Sequence, residues 1–232
     1  MSDGGKVPAC SAKAASSRTR GVSDRAMDTG SATPTDISSS CPARGLRCGQ
    51  DEGMTSFVAL LRAVNVGGNN KIVIPVLREM FEASGYTNVT TFIQSGNVVF
   101  DGAGTKGAAL VRDIETSITR TFGLRIDVVI RSARELAEAI KANPFADRVH
   151  DRATLHIAFL NDAPDRARLE TLDRARFEPD EFAIGRREVY LHCPNGVGRS
   201  KLPTALASKL APSPATMRNW NTVTKLAELA AR

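Results

Sequence analysis

Short apolar runs alternate with amphipathic stretches between residues 56 and 130, and this alternation limits the fold more than any other feature of the chain. The runs are bounded by turn residues, as buried strands are. Ser95-Gly96 separates two of them at hairpin spacing. The stretches between them place apolar residues three and four positions apart, which is typical of packed helices. In chain order we predict a strand at 56–62, a ten-residue helix beginning at Pro75, strands at 89–94 and 97–101, a helix capped by Thr105 and ended by Gly123, and a strand at 125–130.

The second half of the chain repeats most of this order. Ser132 and Glu135 form a capping box that opens a bridging helix. That helix ends at Asn143-Pro144, because proline disfavours helix in the residue before it. Beyond it we predict a strand at 154–160, a helix from Pro164, strands at 181–184 and 188–192, a helix from Pro203 and a C-terminal helix from about Thr216.

The order β-α-β-β-α-β is that of the ferredoxin-like, or α-β plait, fold. We therefore predict an α+β protein of two tandem ferredoxin-like units with antiparallel sheets. The first unit covers residues 54–131, and residues 132–232 hold the bridging helix, the second unit and the C-terminal helix. No repeat of individual residues accompanies this repeat of elements.

Residues 1–53 differ in composition from the rest of the chain. They contain no Phe, Tyr or Trp and little Ile, Leu or Val, so they offer too little apolar surface to offset the entropy of ordering. We predict a disordered extension; a targeting peptide and a true start at Met54 are the alternatives. Only one of the four cysteines, Cys193, lies outside this segment. A reducing, cytoplasmic setting without a membrane span is expected.

Polar residues gather in two loops that the predicted topology brings to one edge of the first sheet. The first and second strands of a plait run parallel, so the loop after each lies at the same edge. Both loops combine amide side chains, glycine and cations, which can hold a phosphate or carboxylate. Two further polar clusters lie later in the chain. The candidate ligand-binding residues are Arg62, Asn65, Gly67, Gly68 and Lys71 in the first loop, Gln94, Ser95 and Asn97 in the second, and Ser200, Lys201, Arg218, Asn219 and Asn221 in the later clusters.

These clusters suggest binding of a small anionic or phosphorylated ligand, with the cations of Arg62, Lys71, Lys201 and Arg218 around one anion. The net charge of +6 permits such a partner without requiring one. If Arg218 is one of these cations, Arg218→Ala should abolish binding of the anion. The same substitution should cost little stability, because loss of an exposed cation seldom affects folding. Turn formation alone is the competing explanation for the Asn and Gly residues.

Two other classes of function stay open. RNA or a nucleic-acid backbone is the second hypothesis, because Phe57 and Phe100 lie on strands where a plait can stack bases, unless both rings are buried. An enzyme of unknown reaction is the third. Ser95, Ser200 and Cys193 are possible nucleophiles, but the sequence has no Gly-x-Ser-x-Gly motif. It also lacks the closely spaced cysteine or histidine pairs of a zinc site, so no metal is predicted, and cofactor and oligomeric state are left open.

Four segments occur in a distinctive order: Leu60–Lys71 (LLRAVNVGGNNK), Thr91–Phe100 (TFIQSGNVVF), Gly198–Leu202 (GRSKL) and Thr216–Val223 (TMRNWNTV). They resemble the hallmark segments of the bacterial domain-of-unknown-function family 1697. The resemblance runs from Met54 to the C-terminus and implies two plait-like domains, but no activity. Ala63 stands where this family usually has glycine.

Overall fold

The computed structural model describes residues 54–67, 70–104 and 107–232. The predicted extension at residues 1–53 and the predicted cap at Thr105 lie outside these residues. The strands are β1 (Thr55–Leu61), β2 (Thr87–Phe92), β3 (Asn97–Gly102), β4 (Val128–Ser132), β5 (Leu155–Leu160), β6 (Glu181–Ile184), β7 (Glu188–His192) and β8 (Ala215–Asn219). The α-helices are α1 (Ile74–Ala83), α2 (Ala108–Phe122), α3 (Ala133–Lys141), α4 (Arg166–Glu170), α5 (Leu202–Leu210) and α6 (Trp220–Ala230). Two short 3-10 helices cover Arg152–Thr154 and Arg174–Phe177. In this part of the chain, no helix has the length and apolar character needed to cross a membrane.

The strands form two four-stranded antiparallel sheets, one in each half of the described chain. The strand order is β2-β3-β1-β4 in the first sheet and β6-β7-β5-β8 in the second. In each sheet the first strand of the half pairs with the third and the last strand of that half. An α+β fold with two antiparallel sheets, each with helices, is therefore confirmed.

One predicted element is wrong, because Thr216 lies in the strand β8 and not in a helix. Thr216 pairs with Phe159 of β5, and the last helix begins only at Trp220. The Asn219 side chain accepts a hydrogen bond from the backbone N of Thr222 at 2.8 Å, which is the contact of a helix N-cap. The eighth strand gives both halves the same order of strands and helices.

The boundary of β4 also differs from the prediction. The strand covers Val128–Ser132 instead of 125–130, because its pairing with β1 begins where Val128 lies opposite Leu61. Ser132 ends the strand and also caps α3. Its side chain accepts a hydrogen bond from the backbone N of Glu135 while the Glu135 carboxylate accepts one from the backbone N of Ser132, so the predicted capping box is confirmed.

The strand β1 is buried on both faces, which explains its unbroken apolar sequence. Phe57, Ala59 and Leu61 belong to an apolar cluster formed with α1 and α2. Val58 and Leu60 belong to a second cluster, called here the shared core, which joins one face of each sheet with α3 and α6. A third cluster covers the other face of the second sheet with α4 and α5. The first sheet therefore has no free face on the strand β1.

Candidate functional site

The two loops that were predicted to meet do lie together at the end of β1. The Asn65 side chain joins them, because its Nδ2 donates to the carbonyl oxygens of Ile72 and Gln94, both at 3.0 Å. The backbone N of Leu61 donates to the carbonyl oxygen of Gly96 at 2.9 Å. A Cβ added to Gly96 would lie 2.9 Å from the Cβ of Leu61, so this approach requires glycine. The surface formed by residues 62–67, 70–73 and 93–96 is called the two-loop site below.

The backbone of the two-loop site is strained. Ala63, Asn65, Asn70 and Ile93 have φ angles of 52°, 54°, 48° and 51°, in the left-handed region that disfavours residues with a Cβ. The strain is greatest in principle at Ile93, because a β-branched side chain is rarely found there. Strained conformations cluster at binding and catalytic sites, where surrounding contacts hold them in place.

A cavity of about 480 Å³ opens beside these loops. Its lining includes Asn65, Lys71 and Gln94, together with the apolar chain from Ile72 to Pro75. Lys71 is exposed, and it is the charged residue among the described residues of the lining. Val73 is 61% exposed, and Ile93, the neighbour of Gln94 in the chain, is 51% exposed. Polar groups at this site could be predicted from the sequence, but the exposed apolar side chains beside them could not.

Several predicted ligand-binding residues have partners within the protein. The Arg62 guanidinium forms an exposed ion pair with Asp127 at 3.0 Å. Asn97 is buried, and its Nδ2 donates to the carbonyl oxygen of Phe92 at 3.1 Å and to the Ser95 hydroxyl at 3.0 Å. The Asn97 amide and the Ser95 hydroxyl therefore hold the second loop in place. Gly67 is exposed with a φ of 62°, and Gly68 lies outside the described residues.

Arg218 lies at the two loops, but the expectation that it is an exposed cation is wrong. The residue is 9% exposed. Its Nε donates to Oδ1 of Asn97 at 2.6 Å, and its Nη2 donates to the carbonyl oxygens of Leu61 and Ser95 at 2.8 and 3.1 Å. Its Nη1 donates to the Thr216 hydroxyl at 2.8 Å and to the carbonyl oxygen of Met217 at 2.9 Å. Burial lowers the pKa of Arg218 to about 10. All five of its N–H donors thus have protein acceptors, and the side chain ties β8 to the first sheet.

The two remaining polar clusters lie at the starts of the helices α5 and α6. The Ser200 hydroxyl accepts a hydrogen bond from the backbone N of Leu202 at 3.0 Å, and Asn219 caps α6 as described. Lys201 and Asn221 are exposed. Lys201 precedes α5, which packs on the face of the second sheet away from the shared core. This placement gives no support to one anion site that includes Lys201 together with Lys71.

The aromatic platform considered for RNA is buried. Phe57 and Phe100 are 6% and 0% exposed, and their rings stack with centroids 5.7 Å apart in the cluster under α1 and α2. Phe100 is inaccessible, and the small exposed part of Phe57 is too little surface for a base to stack on. Burial was the competing interpretation of these residues, and it is confirmed.

The Cys193 thiol is also buried, at 0% exposure. Burial raises the pKa of this thiol, although a hydrogen bond with Ser200 opposes the shift. His192 contacts the carboxylate of Glu181 at 3.3 Å through its Nδ1. An activated nucleophile needs a lowered pKa and a neighbouring base. The raised pKa of Cys193 and the pairing of His192 with Glu181 do not match this pattern.

Comparisons with known proteins support the fold and are silent about activity. The family model described as protein of unknown function (DUF1697) matches residues 54–190. No curated protein matches the chain. Among solved structures, the conserved bacterial protein SP0830 from Streptococcus pneumoniae is similar, with a TM-score of 0.63 and 23% sequence identity over 77% of this chain and 99% of that one. At this identity the likeness shows the fold alone. Because the family model covers more than half of its length, the chain belongs to the DUF1697 family.

Proposed function

We propose that the protein binds a small anionic or phosphorylated ligand at the two-loop site. The observation that carries the proposal is the meeting of four left-handed, non-glycine residues in two loops joined by Asn65. Asparagine tolerates this conformation, but Ala63 and Ile93 each cost about 1–2 kcal/mol, so a sequence selected for stability alone would place glycine at these two positions. A cost of this kind is typical of loops whose shape serves a ligand.

The lining groups define the chemistry of the ligand. The exposed Lys71 ammonium supplies a cation, and Gln94 supplies amide donors and an acceptor on the opposite loop. Val73 and Ile93 add exposed apolar surface. A ligand with a phosphate or carboxylate group attached to a small apolar body would use both kinds of group.

Calorimetric titration of the full chain with phenyl phosphate and with inorganic phosphate tests this function. We expect phenyl phosphate to bind more tightly, because it alone contacts the apolar side chains. Lys71→Ala should weaken phenyl phosphate binding at least about tenfold, since a charge-assisted hydrogen bond contributes about 1.5–3 kcal/mol. Lys141→Ala, which removes an exposed lysine from the end of α3, is the matched control.

Three results would refute the proposal. The first is no saturable binding of either phosphate by the wild-type protein. The second is an equal effect of Lys71→Ala and Lys141→Ala, which would show a general charge effect. The third is a loss of binding in Lys201→Ala with none in Lys71→Ala, which would move the anion site to the start of α5.

A nucleic-acid backbone is the second candidate partner, and one surface favours it. Arg112, Thr116 and Arg120 follow each other at intervals of four on the exposed side of α2. Together with Arg125 they line a groove of about 590 Å³, which also contains carboxylates such as Glu115. Spaced arginines on a helix can contact successive phosphates.

Fluorescence anisotropy with a labelled single-stranded oligonucleotide tests this second candidate. If the groove binds phosphates, Arg120→Glu should weaken binding and reduce the slope of log affinity against log salt by about 1. Lys141→Glu, on α3, changes the total charge equally and should leave the slope unchanged. Equal effects of the two substitutions would reject the groove.

We also propose that each half is a ferredoxin-like plait and that the protein works in the cytoplasm. The β-α-β-β-α-β order of both halves and the two equivalent strand orders support the plait assignment. The expectation of a cytoplasmic location rests on the sequence. Enzymatic turnover stays the third hypothesis, and no contact described above favours a particular reaction.

A further inference from the structure

A second cavity, of about 600 Å³, opens where the two halves of the protein meet. It is called here the junction cavity. Its lining includes Phe57 near the start of β1, whereas the two-loop site follows the end of that strand at Leu61. The two sites are therefore at opposite ends of β1, separated by roughly 15–20 Å at about 3.3 Å per residue.

The floor of the junction cavity is apolar. Phe57 and Ile130 are buried residues of the first sheet, with 6% and 9% of their surface exposed, and Val111 of α2 is partly buried beside them. A small area of aromatic and aliphatic surface therefore faces the cavity. Such surfaces are typical of sites for small organic molecules.

A fixed ion pair from the second half lines another part of the cavity. The Nη2 of Arg187 donates to Oε1 of Glu135 at 2.5 Å, and its Nη1 donates to the carbonyl oxygen of Asn161 at 3.3 Å. The other carboxylate oxygen of Glu135 accepts from the backbone N of Ser132 at 2.9 Å. Burial raises the pKa of Glu135, but the hydrogen bond from Ser132 and the charge of Arg187 outweigh it, so the pKa is lowered overall. Glu135 is thus ionised and holds Arg187 in one orientation.

Arg187 keeps donor capacity after these contacts. A guanidinium has five N–H groups, and the contacts with Glu135 and Asn161 use two of them. Arg112 of α2 also lines the cavity and is exposed. Its side chain has no ion pair among the salt bridges of the described residues. The carboxylate of Asp162 lies in the same lining and disfavours a ligand of high negative charge.

We propose that the junction cavity binds a small amphiphilic monoanion, with its apolar body on Phe57, Val111 and Ile130 and its acidic group between Arg112 and Arg187. The acidic group is a carboxylate, a sulfonate or a phosphate diester, each of which carries one negative charge and has oxygens that a guanidinium can pair with. Glu135 is a positioning residue in this site. The site is separate from the two-loop site, and either can fail while the other stands.

The test uses two fluorescent probes with similar aromatic rings and the full chain. 8-Anilinonaphthalene-1-sulfonate carries an acidic group, and N-phenyl-1-naphthylamine does not. We expect saturable binding of the sulfonate. Ala108→Trp places an indole at the rim of the junction cavity and should weaken the binding of both probes about tenfold or more. Arg112→Ala should weaken the sulfonate about fivefold and leave the neutral probe unchanged.

Matched substitutions on the same helix control for bulk and for charge. Thr116→Trp adds the same side chain and Arg120→Ala removes the same charge, both on exposed α2 positions outside the cavity lining. Both should leave sulfonate affinity within about twofold of wild type. Val73→Asp, in the two-loop site, should also leave it unchanged.

The proposal is overturned by any of four results. These are absent saturation in wild type, equal losses in Arg112→Ala and Arg120→Ala, unchanged sulfonate binding in a folded Ala108→Trp variant, and loss of the signal in Val73→Asp. If thermal melting shows that Ala108→Trp does not fold, the contrast between the two probes in Arg112→Ala decides the question alone.

Discussion

Arg131 and Arg218 occupy the same position in the two sheets: each is the fourth residue of the last strand of its half, and each is followed by the N-cap residue of a helix. The Nε of Arg131 donates to Glu188 of the second sheet at 3.0 Å. The Nε of Arg218 donates to Asn97 of the first sheet at 2.6 Å. Glu188 and Asn97 are the first residues of β7 and β3, which are themselves equivalent. The arginines thus cross between the sheets in opposite directions, and the two halves are related residue by residue at this junction.

The buried position of Arg218 predicts a large loss of stability on its removal. Arg218→Ala leaves the Asn97 amide oxygen and the carbonyl oxygen of Leu61 without this donor, and a buried unsatisfied group costs about 1–3 kcal/mol. We expect the free energy of unfolding in urea to fall by more than about 2 kcal/mol. Arg62→Ala breaks an exposed ion pair and should cost less than about 1 kcal/mol. Equal losses in the two variants would contradict the structural role of Arg218.

The left-handed residues of the two-loop site predict that glycine stabilises the protein. Ala63→Gly relieves the Cβ clash at a φ of 52°, and its net gain should be about 0.5–1 kcal/mol after the entropy of glycine is subtracted. Ile93→Gly should gain at least as much, because its side chain is β-branched and half exposed. Thermal melting measures both effects. A lower melting temperature for Ala63→Gly, at an exposed site with little packing to lose, would show that the backbone is not strained there.

A gain in stability at Ile93 should come with a loss of binding. If the loop shape serves the ligand, Ile93→Gly should be more stable and bind phenyl phosphate less tightly than wild type. The same calorimetric titration measures this. Unchanged affinity in the stabilised variant would separate the strain from ligand binding.

Stability should fall with pH below the ordinary pKa of histidine because of His156. Burial lowers the pKa of His156 from 6.5, although the backbone of Thr154 opposes this shift. Between the two pKa values the unfolded chain binds a proton that the folded protein does not, so the free energy of unfolding decreases as pH falls below about 6.5. We expect the free energy of unfolding to decrease as the pH is lowered from about 7 through 6.5. His156→Gln should remove this slope and the exposed His150→Gln should retain it; a slope unchanged in His156→Gln would assign it to other groups.

Cys193 should resist thiol reagents in the folded protein. Its burial and raised pKa both reduce the amount of accessible thiolate. In a variant with serine at Cys10, Cys41 and Cys48, reaction with an aromatic disulfide should be at least about a hundredfold slower in buffer than in denaturant. The release of coloured thiol measures the rate. Comparable rates in the two solvents would place the thiol at the surface.

Most of the fold follows from the sequence, because its strands bury apolar side chains. The runs at β1, β6 and β7 could be recognised from β-branched and aromatic residues between turns. The strand β8 could not, because its pattern is inverted: the buried residues are Thr216 and Arg218, while Met217 is only partly buried. Arg218 is hydrogen-bonded to the first sheet and to Thr216, and a sequence pattern does not reveal such partners.

The candidate sites follow the sequence less closely. The meeting of the two loops could be derived from strand order. The hydrogen bonds of Asn65 and Asn97 to the protein's own backbone could not, because an amide side chain in the sequence looks the same whether it binds a ligand or a neighbouring loop. The junction cavity escaped prediction for another reason. Its charged residues, Arg112, Glu135, Asp162 and Arg187, are far apart in the chain and come together only through the packing of the two halves.

The shared core also sets the conditions under which the protein is made. Val58 and Leu60 of the first sheet are packed in this core with Val223 and Leu226 of α6, the last helix of the chain. After Ser132 leaves the ribosome, about 100 more residues must follow, which takes roughly 5–20 s at about 5–20 residues per second. During that interval the nascent sheet presents an uncovered apolar face to chaperones and to neighbouring nascent chains. The speed of translation through the second half of the message therefore determines how long each new molecule is exposed to aggregation.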